Sequence, residues 1–172
     1  MAIREDELEL VSNCDLWTVR RLASHAVKNQ LFWAGLVTGR KLMALEESMG
    51  AVPYDGDLAP FATTTHDQVL ELWDTPGVLE ATHTTPFGRL PGSAVINFPI
   101  VDAIAHAWDI SASVGHPIEF KAESIPAIAA VVEFTCTEHT ISLGLIKPPT
   151  VPPEDATDTE RLMAAAGRAI TR

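Results

Sequence analysis

An aspartate and a histidine four residues apart form the most informative chemical pattern in this sequence. They are Asp102 and His106, in the segment VDAIAHAWDI. Residues four apart on a helix project from one face, one turn apart, so both side chains can reach the same ion. A first-row divalent metal accepts imidazole nitrogen and carboxylate oxygen together, and three protein ligands leave positions open for water or substrate. This D-x3-H pattern therefore predicts part of a metal site.

A third ligand must come from another part of the chain, and His25 is the best candidate. The sequence predicts a long helix from an N-cap at Asp15 to a stop at Gly39. Apolar and polar residues at spacings of three and four predict a seam that faces other helices. That seam consists of Leu22, His25, Asn29, Phe32 and Leu36. His25 thus lies where a second helix can approach it.

Simpler interpretations of the same residues stay open at this point. Asp102 falls near the start of a helix that begins around Pro99, where the helix dipole favours a carboxylate. His106 can be a core histidine that is satisfied by a hydrogen bond. A buried aspartate, however, needs compensation for a desolvation cost of several kcal/mol. Between Asn97 and Val114 the sequence has no Lys or Arg to supply it, which favours a cation from outside the chain.

Several further elements follow from capping and turn residues. A capping box at Thr65 and Gln68 predicts a helix to about Asp74, and LEATHTTPFGRLPG predicts a small hairpin or ordered loop. A helix from Ser93 or Asn97 should run to about Val114, with Pro99 in its first turn or producing a kink.

The C-terminal third is predicted to hold two more helices. One starts at the Ser124 cap, with Pro126 in its first turn, and runs through IAAVVEFTCTEH. The segment KPPTVPPEDAT is too rich in proline for regular structure, and a capping box at Thr157 and Glu160 opens a short last helix.

Composition narrows the class of protein. The chain has 172 residues with a formal net charge of -11 and 47% hydrophobic residues. These values predict one folded domain over residues 1–172 and argue against nucleic acid or an anionic membrane as a partner.

The sequence contains no apolar run of membrane-spanning length, and its charged start is unlike a signal peptide. Its two cysteines form no CxxC pair. We therefore expect a cytoplasmic protein.

Other residues are weaker candidates for a functional role. His83, His116 and His139 are interpreted as solvated, and His66 as a residue that caps or begins a helix. Asp109 could orient the His106 imidazole, although a surface position is the favoured alternative.

The remaining side chains that could take part in chemistry are assigned to packing or to the surface. Cys14 and Cys136 have no activating neighbour in the sequence, which argues against a nucleophilic thiol. Trp33, Trp73 and Trp108 are expected to pack in the core. Solvated surface is the default for the basic residues Arg20, Arg21, Lys28 and Arg89.

Three ordered segments give the chain a resemblance to a known family. CDLWTVRRLASHAVKNQ, TPFGRLPG and VDAIAHAWDISASVGHPI resemble DinB-like metal-binding proteins related to the N-terminal domain of mycothiol-dependent maleylpyruvate isomerase. The tail PPTVPPEDATDTERLMAAAGR is similar as well. The resemblance implies an all-α, up-down four-helix bundle whose metal ligands correspond here to His25, Asp102 and His106. Because only MAIREDELELVSN precedes the W-T-V segment, the first helix should be short or missing. A homodimer would then cover the open face of the bundle.

The resemblance also suggests an activity. It implies a metal-dependent enzyme that uses mycothiol or a similar low-molecular-weight thiol for transferase or isomerase chemistry on an electrophilic substrate. Zinc or nickel is the expected divalent ion. Two alternatives stay open: a non-catalytic protein in which the ion joins two helices, and a helical binding module without metal. Catalytic residues and residues that would bind the thiol are not identified.

Overall fold

The computed structural model describes residues 3–14, 17–50 and 52–170. It divides into two compact units, Met1–Pro117 and Ile118–Arg172. The chain is mainly helical with one small sheet, as expected. A single domain over residues 1–172 and an up-down four-helix bundle stay predictions.

The first unit begins with a short 3-10 helix and continues through five α-helices and a hairpin. In order they are a 3-10 helix Glu5–Glu9, α1 Val19–Thr38, α2 Leu45–Ser48, α3 Leu58–Trp73, β1 Thr82–Thr85, β2 Gly88–Pro91, α4 Gly92–Val95 and α5 Asn97–Ser113. Helix α1 packs against both α3 and α5. It is therefore the element that can link the predicted ligands.

Helix α1 begins later than predicted. The Thr18 hydroxyl accepts a hydrogen bond from the Arg21 N–H, which makes Thr18 the N-cap. Asp15, the predicted cap, lies outside the described residues. The predicted stop is confirmed, because Gly39 adopts a left-handed conformation with φ of 70°.

Helix α3 begins before its predicted start. Its N-cap is Asp57, whose carboxylate accepts a hydrogen bond from the Ala59 N–H across 3.0 Å. Pro60 is tolerated in the first turn, where an N–H has no partner within the helix. The predicted capping box at Thr65 and Gln68 was therefore wrong. His66 was also placed wrongly, because it lies on the exposed side of the middle of α3.

The core of the first unit lies around the C-terminal half of α1. Trp33 stacks on Phe98 with ring centroids 5.2 Å apart, and Phe87 from the predicted hairpin contacts both rings. Trp33, Trp73 and Trp108 are all buried, which confirms their assignment to packing. This packing holds α1 and α5 together at one end and leaves their other end for polar side chains.

Helix α5 agrees closely with its prediction. Pro99 lies in its first turn, and Gly115 follows its end with φ of 78°. The hairpin is confirmed too: β1 and β2 pair antiparallel with Thr85 opposite Gly88.

The second unit contains a 3-10 helix Ala122–Ser124, α6 Ile125–Thr135, α7 Glu138–Ser142 and α8 Asp158–Ala165. Helix α6 ends sooner than predicted, because Thr137 caps a separate helix α7. The capping box at Thr157 and Glu160 is formed. Residues 147–157 contain neither helix nor strand, as expected. No helix in the described part of the chain is both long and apolar enough to span a membrane.

Candidate metal centre

The imidazole of His25 is fixed by a backbone carbonyl. His25 is 6% exposed on α1, and its Nδ1 donates a hydrogen bond to the Ser48 carbonyl at the end of α2. A carbonyl oxygen can only accept, so Nδ1 must carry a proton. In the neutral ring Nε2 then presents a lone pair toward α5.

The imidazole of His106 is fixed in the same way by Asp109. His106 Nδ1 donates to Asp109 Oδ2 across 3.0 Å. Asp109 is 1% exposed, so the surface position favoured from the sequence was wrong, and the alternative orienting contact is present. An ionised carboxylate is an acceptor only, so His106 Nδ1 carries a proton, and in the neutral ring Nε2 presents a lone pair.

Both Nε2 atoms face one oxygen of Asp102. His25 Nε2 lies 3.3 Å from Asp102 Oδ1, and His106 Nε2 lies 3.4 Å from the same atom. Ligand atoms about 2.0 Å from a tetrahedral ion are about 3.3 Å apart. Charge-assisted N–H···O bonds are shorter, at about 2.7–2.9 Å. The spacing therefore resembles a ligand set more than a hydrogen-bonded cluster.

The structure thus brings together the three residues predicted as ligands. One ligand atom from each of His25, Asp102 and His106 lies within 4.8 Å of the others. In addition, Asp102 Oδ2 is buried and has no hydrogen-bond partner in the described part of the chain. A buried carboxylate oxygen without a partner is costly. The residues present therefore fit a bound cation.

The charges of the cluster also favour a bound cation. Burial alone would raise the pKa of Asp102, but His106 and His25 hold it well below its usual range. Burial would lower the pKa of His106, but the charge of Asp102 raises it well above its ordinary value. Asp109 and Cys14 add hydrogen bonds that raise the pKa of His106 further. The buried carboxylate therefore requires positive charge beside it, from protons or from a metal ion.

A tightly packed wall encloses His25. The Trp17 ring meets the His25 ring edge-to-face, with centroids 5.4 Å apart. Arg21 lies over Trp17 and donates to the Gly50 carbonyl across 2.8 Å. Gly50 has φ of 74°, and a Cβ there would lie 2.7 Å from the Trp17 ring. This wall shields one side of the centre from water.

Sequence reasoning missed Cys14 as a neighbour of the centre. Its Sγ, a His106 ring nitrogen and an Asp109 carboxylate oxygen lie within 4.8 Å of one another. No local pattern signals this, because Cys14 precedes α1 and reaches α5 only through the fold. Trp17, Ser48 and Gly50 were missed for the same reason.

The other residues considered from the sequence lie away from the centre. His116 and His139 are exposed as predicted, whereas His83 is half-buried and its Nε2 donates to the Val78 carbonyl. Arg89 is exposed.

Besides Arg21, which lies over Trp17, two further basic residues of α1 depart from the predicted solvated surface. Lys28 is 6% exposed and donates to the Val52 carbonyl, and the half-buried Arg20 pairs with Glu5 and Glu9. Both therefore tie α1 to neighbouring segments.

Comparison with known proteins gives relatives without an assigned function. Two uncharacterized proteins of Mycobacterium tuberculosis, from strains CDC 1551 / Oshkosh and ATCC 25618 / H37Rv, are each 26% identical over 129 residues. The match covers 70% of this chain and 62% of each relative, so the chain spans less than two thirds of their length. No family model and no solved structure matches the chain.

Proposed function

We propose that this protein binds one divalent metal ion through His25, Asp102 and His106. The observation that carries the proposal is the pair of Nε2 atoms directed at one Asp102 oxygen at 3.3 and 3.4 Å. Both imidazoles are already oriented through Nδ1, by Ser48 and Asp109. Metal-binding histidines commonly have their second nitrogen held by such a partner.

We further propose that the centre serves a metal-dependent transferase or isomerase that uses a low-molecular-weight, mycothiol-like thiol. The resemblance to DinB-like proteins supports this activity, and three protein ligands would leave a position open. When bound, the ion would act as a Lewis acid that lowers the pKa of a coordinated thiol. The chain's own residues hold the ion and orient its ligands, while Trp17 shields the His25 side from water.

Elemental analysis tests the metal proposal directly. Protein that has met neither a chelator nor a nickel column should contain about one ion of zinc or a similar metal per chain. The variants His25→Ala, Asp102→Asn and His106→Ala should lose it. His66→Ala and His116→Ala, which change exposed histidines outside the cluster, should retain it. Metal-free protein that also fails to bind added zinc would overturn the proposal.

A thiol-transfer assay then separates a catalytic from a structural ion. With a mycothiol-like thiol and an electrophile such as maleylpyruvate, activity should appear with metal and vanish on chelation. An ion that only joins α1 to α5 would raise the melting temperature without giving any thiol transfer. That result would leave the metal site standing and exclude the enzymatic activity.

A second candidate function, a binding module for an apolar ligand, is favoured by a groove in the first unit. The groove has a volume of about 310 Å³ and lies between α1, α3 and α5. It is lined mainly by small apolar side chains, among them Ala26, Val27, Ala62, Val69, Ala103 and Ala107. If this function is the correct one, an apolar fluorescent probe should bind equally well with and without metal.

A further inference from the structure

Asn29 lies one turn after His25 on the same face of α1, and its side chain is buried without a partner. The residue is 8% exposed. Its side-chain amide forms no hydrogen bond with any residue in the described part of the chain. An amide carries two donors and an oxygen with two lone pairs. Because burying these groups unpaired is costly, a partner from outside the chain is expected.

Two contacts between α1 and α5 bracket Asn29. On one side of it, His25 Nε2 lies 3.3 Å from Asp102 Oδ1. On the other side, the Trp33 ring stacks on the Phe98 ring with centroids 5.2 Å apart. His25, Asn29 and Trp33 follow one another at intervals of four on α1, and Phe98 and Asp102 are four apart on α5. Because residues at this spacing share one face of a helix, the Asn29 side chain lies in the same interface, next to Asp102.

Asn29 and Asp102 lean toward one another across this interface. Helical side chains point back toward the N-terminus of their own helix. The two helices run in opposite directions here, because Gln30, which follows Asn29, donates to the Pro99 carbonyl across 2.9 Å, whereas His25 contacts Asp102. Asp102 Oδ2 is also buried without a hydrogen-bond partner in the described residues. Two unpaired polar groups therefore face each other and do not bond to each other.

We propose that Asn29 supplies its amide oxygen as a fourth protein ligand to the divalent ion held by His25, Asp102 and His106. This inference rests on the proposed metal site. One cation would satisfy two acceptors at once, the amide oxygen of Asn29 and the unpaired oxygen of Asp102. Each helix then contributes two ligands one turn apart, in an H-x3-N pattern on α1 and a D-x3-H pattern on α5.

An amide oxygen is the weakest of the four ligands because it is uncharged. Zinc takes thiolate and imidazole ligands in preference to a neutral carbonyl oxygen. The position that Asn29 occupies therefore remains available to the thiol of the proposed reaction. The inference extends the proposed function, since Asn29 marks the position at which that thiol binds.

The zinc affinity of three variants tests the ligand. Competition with a chromophoric chelator should show zinc binding weakened at least about ten-fold in Asn29→Ala. Asn29→Asp, which puts a charged oxygen in the same place, should bind zinc more tightly than the wild type. The matched control is Gln30→Ala, which removes the neighbouring amide and should keep wild-type affinity. Far-UV circular dichroism in a chelator shows whether each variant has folded.

Asn29→Asp separates coordination from a merely orienting role. If Asn29 only donated a hydrogen bond to Asp102, a carboxylate at position 29 would remove the donor and repel Asp102, so zinc would bind more weakly. That result would overturn the inference, and so would wild-type affinity in Asn29→Ala. In both cases, loss of zinc in His25→Ala would leave the proposed metal site standing. Wild-type protein that binds no zinc would overturn both proposals.

A crystal structure of the zinc-loaded wild type gives a second test that does not depend on a variant. The Asn29 amide oxygen should lie about 2.0–2.2 Å from the ion, the distance typical of oxygen ligands of zinc. An amide oxygen more than about 3 Å from an ion bound by His25 and His106 would contradict the inference.

Discussion

His106 donates a hydrogen bond from Nδ1 to Asp109 Oδ2, three residues further along α5, across 3.0 Å. The contact fixes both the tautomer and the orientation of the ring, because the only other nitrogen is Nε2. That nitrogen is directed at Asp102. Asp109 therefore acts on the centre through His106, as a positioning residue.

Removing this contact should weaken metal binding without abolishing it. Asp109→Ala should lower the affinity for zinc by about 10–100-fold, because the ring loses its orienting partner and some basicity. Asp109→Asn keeps an acceptor and should lose less. Affinity is measured by competition with a chromophoric chelator. The control is Asp67→Ala, which changes an exposed aspartate on α3; an equal loss in this control would contradict the role of Asp109.

The metal-free protein should become less stable as pH rises above neutrality. The folded-state pKa of His106 is raised well above its ordinary value. A raised pKa gives stability that is complete below the unfolded-state pKa of about 6.5 and is lost as pH rises through the folded-state pKa. Melting curves in a chelator across this range should show the decline. His106→Ala should remove it, whereas the exposed-residue control His116→Ala should not.

The lowered pKa of Asp102 makes stability change with pH in the opposite direction in the acid range, where stability rises with pH. Its contribution to stability is present above about pH 4, its unfolded-state pKa, and is lost as pH falls toward the folded-state pKa. With zinc bound, stability should instead rise with pH above neutrality, because the metal competes with protons for the imidazoles. If the melting temperature changed with pH in the same way with and without zinc, the ion and the protons would not compete for the same imidazoles.

The residues of the candidate site could be predicted from the sequence to the extent that they lie at helical spacing. Asp102 and His106 are one turn apart on α5, and His25 belongs to the buried side of α1, so periodicity was sufficient to name them as candidates, and the family resemblance favoured a metal role. Cys14 and Gly50 lie in irregular segments. Their positions depend on tertiary contacts that no local pattern encodes.

The errors in the fold prediction have a similar origin. Thr65 and Gln68 have the residue types of a capping box, but Asp57 caps α3 earlier and Thr65 is buried in its middle. Local capping signals compete, and packing of the whole helix against α1 decides between them. The capping box at Thr157 was correct.

Chelation should destabilise the wild type more than the ligand variants. An ion that binds only the folded protein stabilises it by about 2.7 kcal/mol at a hundred-fold excess over Kd. For a chain of this size, that corresponds to a shift of about 5–10 °C in melting temperature. Differential scanning fluorimetry with zinc and then with a chelator measures it. His25→Ala and His106→Ala should shift by less than about 2 °C, and shifts in these variants as large as in the wild type would place the ion elsewhere.

Gly50 is predicted to be essential to the wall that encloses His25. Its φ of 74° strains any residue with a Cβ, and a Cβ would also lie 2.7 Å from the Trp17 ring. Gly50→Ala should therefore cost about 1–2 kcal/mol for the backbone and about 1–3 kcal/mol more for the overlap. Because Trp17 packs on His25, the variant should also bind zinc more weakly.

Gly77→Ala is the matched control for this prediction. Gly77 has φ of 85°, but nothing lies within 4 Å of a Cβ placed there. In urea unfolding, the Gly77→Ala variant should lose only the backbone contribution of about 1–2 kcal/mol to the free energy of unfolding. It should bind zinc like the wild type. If the two variants lost equal stability, the contact between Gly50 and Trp17 would contribute nothing. If Gly50→Ala lost stability but kept full zinc affinity, the wall would support the fold without positioning His25.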